Sequence, residues 1–269
     1  MVIDFHTHIF PDKIAEKAIK VLENNIHEIN GTEEYAVLNG TLDALKNSMK
    51  KNDITYSVIM PIATKVSQTH TINKFAASIT GKDNIISFGS IHPEQENYEE
   101  QLIHIKSLGL KGIKLHPEYQ GFFIDSPESI RILKKAEELD LIVMLHAGVD
   151  KGIAPPVHCP PQRLRNALNY VSGNKIIAAH MGGYRMWDDV IKYLCGTPIY
   201  LDTSYSVERM SDDLTLEIFK KHGTDKILFG SDSPWQDQGE TVRAVKKLSL
   251  DKNIEDNILY NNGAKLLNL

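Results

Sequence analysis

Eleven histidines are spread along the 269 residues, and six of them, His6, His8, His92, His116, His146 and His180, lie at or just past the ends of short apolar runs. Imidazole binds zinc-like metals and moves protons near neutral pH, so gathering several of them would create a reactive site. His6 and His8 stand two residues apart in DFHTH. On an extended chain with period two both rings point to one side, where they can chelate a single ion. Asp4 is in the same phase, which makes it a candidate hydrogen-bond partner for one of these rings. His146 closes LIVMLHAG and His180 closes KIIAAHMGG, each with glycine close behind to let the chain turn tightly. Asp232, in KILFGSDSPW, adds a carboxylate that zinc accepts beside imidazole. The same Asp-Ser-Pro string is also ordinary turn and cap chemistry.

These residues need a scaffold that brings them together. Eight short apolar runs recur, at residues 2–5, 56–62, 85–91, 112–115, 141–145, 175–179, 199–201 and 227–229. Several show little polar alternation, as expected for strands covered on both faces. Amphipathic stretches between them, at 126–139, 161–171, 187–195 and 214–222, suit helices. Strand–helix alternation implies parallel strands with crossover helices, and about 250 residues is the size of a closed (β/α)8 barrel. Periodicity alone also admits an open, doubly wound sheet. Residues 24–41 fit no unit and read as an insertion after the first strand, and 254–267 read as a closing C-terminal helix. In a barrel every strand end faces one mouth, so the six histidines would converge there. His27, His70, His104 and His222 fall on helical or loop stretches and are expected at the surface.

The formal net charge is −5, with no basic block, so no nucleic-acid partner is expected. Cys159 and Cys195 have no CxxC spacing, which favours a reducing compartment over a disulfide framework. The start, MVIDFHTHIFPDK, lacks the basic and apolar regions of a signal peptide, and no apolar run approaches a membrane span. The expectation is a soluble cytoplasmic protein with a small-molecule substrate and no membrane partner; a homo-oligomer is compatible with it.

The series HTH, LHAG, AAHMGG and LFGSD, in this order and at these strand ends, resembles the amidohydrolase superfamily. It is most similar to the amidohydrolase-2 branch, which includes aminocarboxymuconate-semialdehyde decarboxylase. The resemblance spans residues 4–233 and continues weakly into ILYNNGAKLL. It implies a single TIM-barrel domain over 1–269 and a metal-dependent hydrolase that uses metal-activated water on a small amide, ester or lactone. The alternative is a metal-dependent non-oxidative decarboxylase of a small unsaturated or aromatic carboxylate.

Carried over residue by residue, the resemblance implies that His6, His8, His146 and Asp232 bind the metal. His180 becomes the neighbouring catalytic histidine or a ligand of a second metal, with Asp232 or His180 handling the proton. One divalent ion is expected, zinc first, with manganese, iron or nickel as alternatives. The fourth strand reads GIKLHP instead of carrying a bridging glutamate, which speaks against a second metal. Lys114 and His116 share a face there. Lys114 is a candidate for carboxylation or for holding a substrate carboxylate, and His116 for a substrate contact or an extra ligand. His158, in APPVHCPPQRL, is a further candidate for substrate binding, while the neighbouring Cys159 has no base partner in sequence. Arg163, Arg165 and Arg185 are additional cations that a decarboxylase could use. A catalytically silent binding barrel is the third hypothesis, and the intact ligand set argues against it.

Overall fold

The computed structural model describes residues 1–269. Its centre is built from β1 (Ile3–Thr7), β2 (Tyr56–Ile59), β3 (Ile85–Ser87), β4 (Gly89–Ser90), β5 (Gly112–Leu115), β6 (Ile142–Leu145), β7 (Ile176–Ala178), β8 (Tyr200–Asp202) and β9 (Ile227–Leu228). β1–β3 pair as one sheet and β4–β9 as another, in sequence order and always parallel. β3 and β4 are two halves of one wall position interrupted at Phe88, whose N–H still donates to Ile59 O at 2.9 Å. On the other side, Phe5 N–H donates to Phe229 O and Asp232 N–H to His6 O, both at 2.8 Å, joining the last strand to the first. The wall therefore has the eight positions expected of a (β/α)8 barrel.

Alternation along the strands explains why the runs are apolar throughout. Val143 and Leu145 of β6 pack outward with helix residues such as Leu102, Ile105 and Ile132. Ile142 and Met144 join a separate cluster with Phe5, Phe88, Ile177 and Leu228. Each such side chain, fully buried, contributes about 1.5–3 kcal/mol. That surplus offsets the cost of the buried polar groups Lys114, His6 and Asp202 at the strand ends.

The helices start where sequence chemistry places them. Ser126 caps Pro127–Glu138 by accepting from Ser129 N–H at 3.3 Å, and Asp237 caps Gln238–Lys247 by accepting from Glu240 N–H at 3.0 Å. The insertion expected at 24–41 is shorter than read from composition. The first helix runs Asp12–Asn30 and stops at Gly31, whose φ of 65° is left-handed. Only 31–41 lies outside regular structure. Ile14, Ala18, Leu22 and Ile26, four residues apart, form a stripe on one face of this helix that lines the central cavity. The closing helix contains a wide turn at Asn257–Asn261, where Ile258 O accepts from Phe229 N–H of the barrel. Both cysteines are unpaired, and no helix is long and apolar enough to cross a membrane.

Candidate active site

A cavity of about 580 Å³ lies at the C-terminal ends of the strands. Its floor carries His6, His8, Lys114, His116, His146, Asp150, His180 and Asp232. Its walls are largely apolar, from the stripe on Asp12–Asn30, from Met60, Pro61 and Ile62 after β2, and from Phe75. Glycine makes room for this floor at Gly230, where a Cβ would stand 2.9 Å from the Cβ of His6. His180 (φ 59°) and Asp232 (φ 69°) both sit in the left-handed region, at a local cost of about 1–3 kcal/mol each.

Hydrogen bonding fixes which nitrogen of each ring carries the proton. His6 Nδ1 lies 2.8 Å from Asp202 Oδ2, and His8 Nδ1 lies 2.8 Å from Met60 O. Both partners accept, so both Nδ1 atoms donate and both Nε2 atoms present lone pairs, 3.1 Å apart. His180 Nδ1 donates to Ser204 O at 3.0 Å, which leaves its Nε2 to accept from His146 Nδ1 at 3.1 Å. His146 Nε2 then also presents a lone pair, buried and without a partner. Asp232 Oδ1 stands 3.5 Å from His6 Nε2 and 3.2 Å from His8 Nε2. Buried lone pairs facing one another beside a carboxylate are unfavourable alone and suit a divalent cation, so the residues present fit the metal that the motifs imply. His6, His8 and Asp232 form one group of donor atoms within 4.8 Å of one another, and His146 groups with His116 and Asp150.

His116 has the opposite tautomer. Its Nδ1 accepts from Tyr119 N–H at 3.3 Å, so a neutral ring carries its proton on Nε2, which lies 3.5 Å from Asp150 Oδ2. Lys114, fully buried, places Nζ 3.1 Å from His6 Nε2. The floor thus combines acceptor nitrogens with two adjacent donors.

Electrostatics agree with this division. Burial, then the Lys114 charge, holds His6 and His116 well below the usual histidine range, and burial, then His116, does the same to His146. Burial pushes Asp232 up, but His6, His8 and His180 outweigh it and hold this carboxyl well below its ordinary value. Burial lowers Lys114 to about 8, against the pull of Asp232 and Asp202, and raises Asp150 to about 7.

Several expectations need correction. Asp4 is not the partner of either imidazole. The pairing register of β1 shifts between Asp4 and Thr7, and Asp4 instead accepts from Ser231 Oγ at 2.6 Å and Gln238 Nε2 at 2.7 Å. Asp202 takes the role expected of Asp4. It ends β8 in IYLDTS, and its position at a strand end was the available signal. Asp202 Oδ1 also accepts from His180 N–H at 2.9 Å and Ser204 Oγ at 2.5 Å, so one carboxylate ties His6 to the backbone of His180. His158 is not among the cavity residues; its Nδ1 is 2.5 Å from Glu118 Oε2 and its ring packs on Phe123. Arg163 pairs with Asp125, and neither it nor Arg165 or Arg185 lines the cavity. The second lysine that does is Lys151. His222 is buried rather than exposed, with Nε2 donating to Ile199 O at 3.0 Å.

Comparison with known proteins follows the same line. The family model described as amidohydrolase matches residues 3–269. No curated protein matches the chain in sequence. A TIM-barrel protein from Bordetella bronchiseptica superposes with a TM-score of 0.77 at 16% identity, covering 99% of this chain and 98% of that one. The 5-carboxyvanillate decarboxylase of Sphingomonas paucimobilis gives 0.71 at 11% identity, covering 100% and 99%. A dihydroxybenzoic acid decarboxylase from Polaromonas sp. JS666, solved with manganese and the inhibitor 2-nitroresorcinol, gives 0.69 at 16% identity, covering 100% and 97%. At these identities the shared property is the fold.

Proposed function

This chain belongs to the amidohydrolase family, and from that premise we propose that it is a metal-dependent, non-oxidative decarboxylase of a small aromatic or unsaturated carboxylate. The observation that carries the reading is the mixed floor: acceptor nitrogens with the Lys114 ammonium and His116 Nε2–H directly beside them, beneath a mostly apolar cavity. Donors of this kind hold a carboxylate, and the apolar walls hold a planar carbon frame. The decarboxylases that share the fold, one of them holding manganese, support the same reading.

In this proposal His6, His8, His146 and Asp232 hold one divalent ion, manganese or zinc, which supplies Lewis-acid stabilisation of negative charge when bound. Lys114 and His116 orient the departing carboxylate. The walls exclude water, so the developing charge is met by fixed groups. When the bond to the carboxylate breaks, carbon dioxide leaves and the electron pair stays on carbon, which takes up one proton. We assign the delivery of that proton to His180 in its imidazolium form: a second proton, taken up from solvent at Nε2, passes to the carbon, and the ring returns to the neutral tautomer that keeps its proton on Nδ1 toward Ser204 O.

Hydrolysis of an amide, ester or lactone is the second reading. It is favoured by Asp232, which is ionised and can accept a proton from water. The discriminating experiment incubates manganese- or zinc-loaded protein with panels of hydroxybenzoates, unsaturated dicarboxylates, lactones and esters, following carbon dioxide and acid release separately. Carbon dioxide release that disappears in Lys114→Met is the expected result. Ester or lactone turnover without carbon dioxide would replace this proposal with the hydrolase.

A further inference from the structure

The outer wall of the cavity holds an ion pair that the chemistry at the floor does not use. Lys151 lines the cavity with Tyr184 and Tyr205, and its Nζ lies 5.7 Å and 5.3 Å from their ring centroids. Its partner is the carboxylate of Glu34, which also accepts from Tyr205 Oη at 2.7 Å. Arg209 stacks on Tyr205, with its guanidinium carbon 3.4 Å from the ring centroid. A lysine and a phenol converging on two carboxylate oxygens, backed by aromatic faces, make a seat for an acid.

What fills that seat comes from an unusual place. Glu34 belongs to residues 31–41, the stretch outside regular structure that follows the long wall helix. Ala36 N–H of this strap donates to Glu23 Oε1 at 2.9 Å, and Val37 N–H to Pro234 O at 2.8 Å, while the side chains of Tyr35 and Val37 stand exposed. The Glu34 side chain keeps 26% of its exposure against 12% for Lys151. The cation is thus the more enclosed member, and the carboxylate the more exposed one. A partly exposed pair of this kind contributes little net stability, so a competing acid can exchange with it.

We propose that Lys151 and Tyr205 form a second carboxylate subsite of the cavity, occupied in this structure by Glu34 as an internal stand-in, and that the ligand is a small planar molecule with two acidic groups. One acid meets Lys114 and His116 at the floor; the other displaces Glu34 and releases the strap. This rests on the reading that the floor takes a carboxylate.

The test uses manganese-loaded full-length protein and two probes, benzoate with one carboxylate and isophthalate with two, titrated by calorimetry. Glu34→Gln should bind isophthalate about tenfold tighter than the unmodified protein, and Lys151→Met about tenfold weaker or worse, with benzoate moving less than about twofold in either. Hydrogen exchange should rise in residues 31–41 on adding isophthalate but not benzoate. Benzoate binding with no dependence of isophthalate on Glu34 or Lys151 overturns the subsite and leaves the floor reading intact. Failure of both acids to bind any of the three proteins overturns the floor reading and the subsite together. Weaker isophthalate binding by Glu34→Gln would make Glu34 a structural tie and also overturn the proposal.

Discussion

On β1 the rings of His6 and His8 are anchored by groups that only accept, the Asp202 carboxylate and the Met60 carbonyl, whereas on the opposite part of the floor His146 is anchored by another imidazole, His180. The first arrangement fixes a tautomer and leaves it nothing to exchange. The second links two groups that can each carry or lose a proton, with the carbonyl and hydroxyl of Ser204 at the far end. One part of the floor is therefore built to hold a cation, and the other can hold one while moving a proton. Removing anchors from each part separately should separate binding from turnover.

The largest effect should come from His6→Ala with His8→Ala. Both lone pairs of the fixed half disappear, and elemental analysis of protein purified without chelator should find the metal gone and turnover with it. Full metal content in that double variant would remove these residues from the ligand set. Next comes His180→Asn, which keeps a hydrogen-bonding side chain but cannot take up a proton near neutral pH. Turnover should fall about 10²–10⁴-fold, while metal affinity changes by less than about tenfold. A parallel loss of metal would show that the two halves do not differ in kind. Asp202→Asn should be milder in rate and act through affinity, weakening metal binding by about 10–100-fold in a chelator competition. If affinity is unchanged, the His6 tautomer is set by Ser204 Oγ, which also stands 3.0 Å from His6 Nδ1.

The smallest effect concerns stability in acid and separates the floor from the rest of the molecule. Burial lowers the folded-state pKa of His222, as it does for the floor histidines. The unfolded chain then takes up protons first as pH falls below about 6.5, so this contribution is intact above that value and is lost toward the lower folded-state pKa. His222→Asn should reduce the difference in urea midpoint between about pH 8 and about pH 5.5. An unchanged difference would assign the acid sensitivity to the floor and other groups.

Much of this was legible in the chain itself. β5 falls at 112–115, as read from the apolar run, and His6, His8, His116, His146 and His180 all reach one cavity because parallel strands share a mouth. What failed had local causes that periodicity does not carry. A register shift inside β1 takes Asp4 out of phase with His6, and a rule of period two has no term for a bulge. Asp202 lies 196 residues from His6, so their hydrogen bond is a product of barrel closure and leaves no spacing to read. His158 sits in a proline-rich loop whose path is set by Glu118 on a different element. The wall helix was half hidden because its polar end, Asn24–Asn30, resembles a loop in composition although Gly31 marks its stop.

Gly230 offers a way to recognise this architecture in other chains. With the Cβ of His6 only 2.9 Å from where its own would stand, position 230 is closed to every other residue unless β1 moves. A distant relative can keep all four histidine and aspartate motifs and still show a side chain at the matching place. In such a chain the added Cβ displaces the first imidazole or the strand that carries it. That one glycine, invisible to any search for ligands, is thus as much a condition of the site as the ligands themselves.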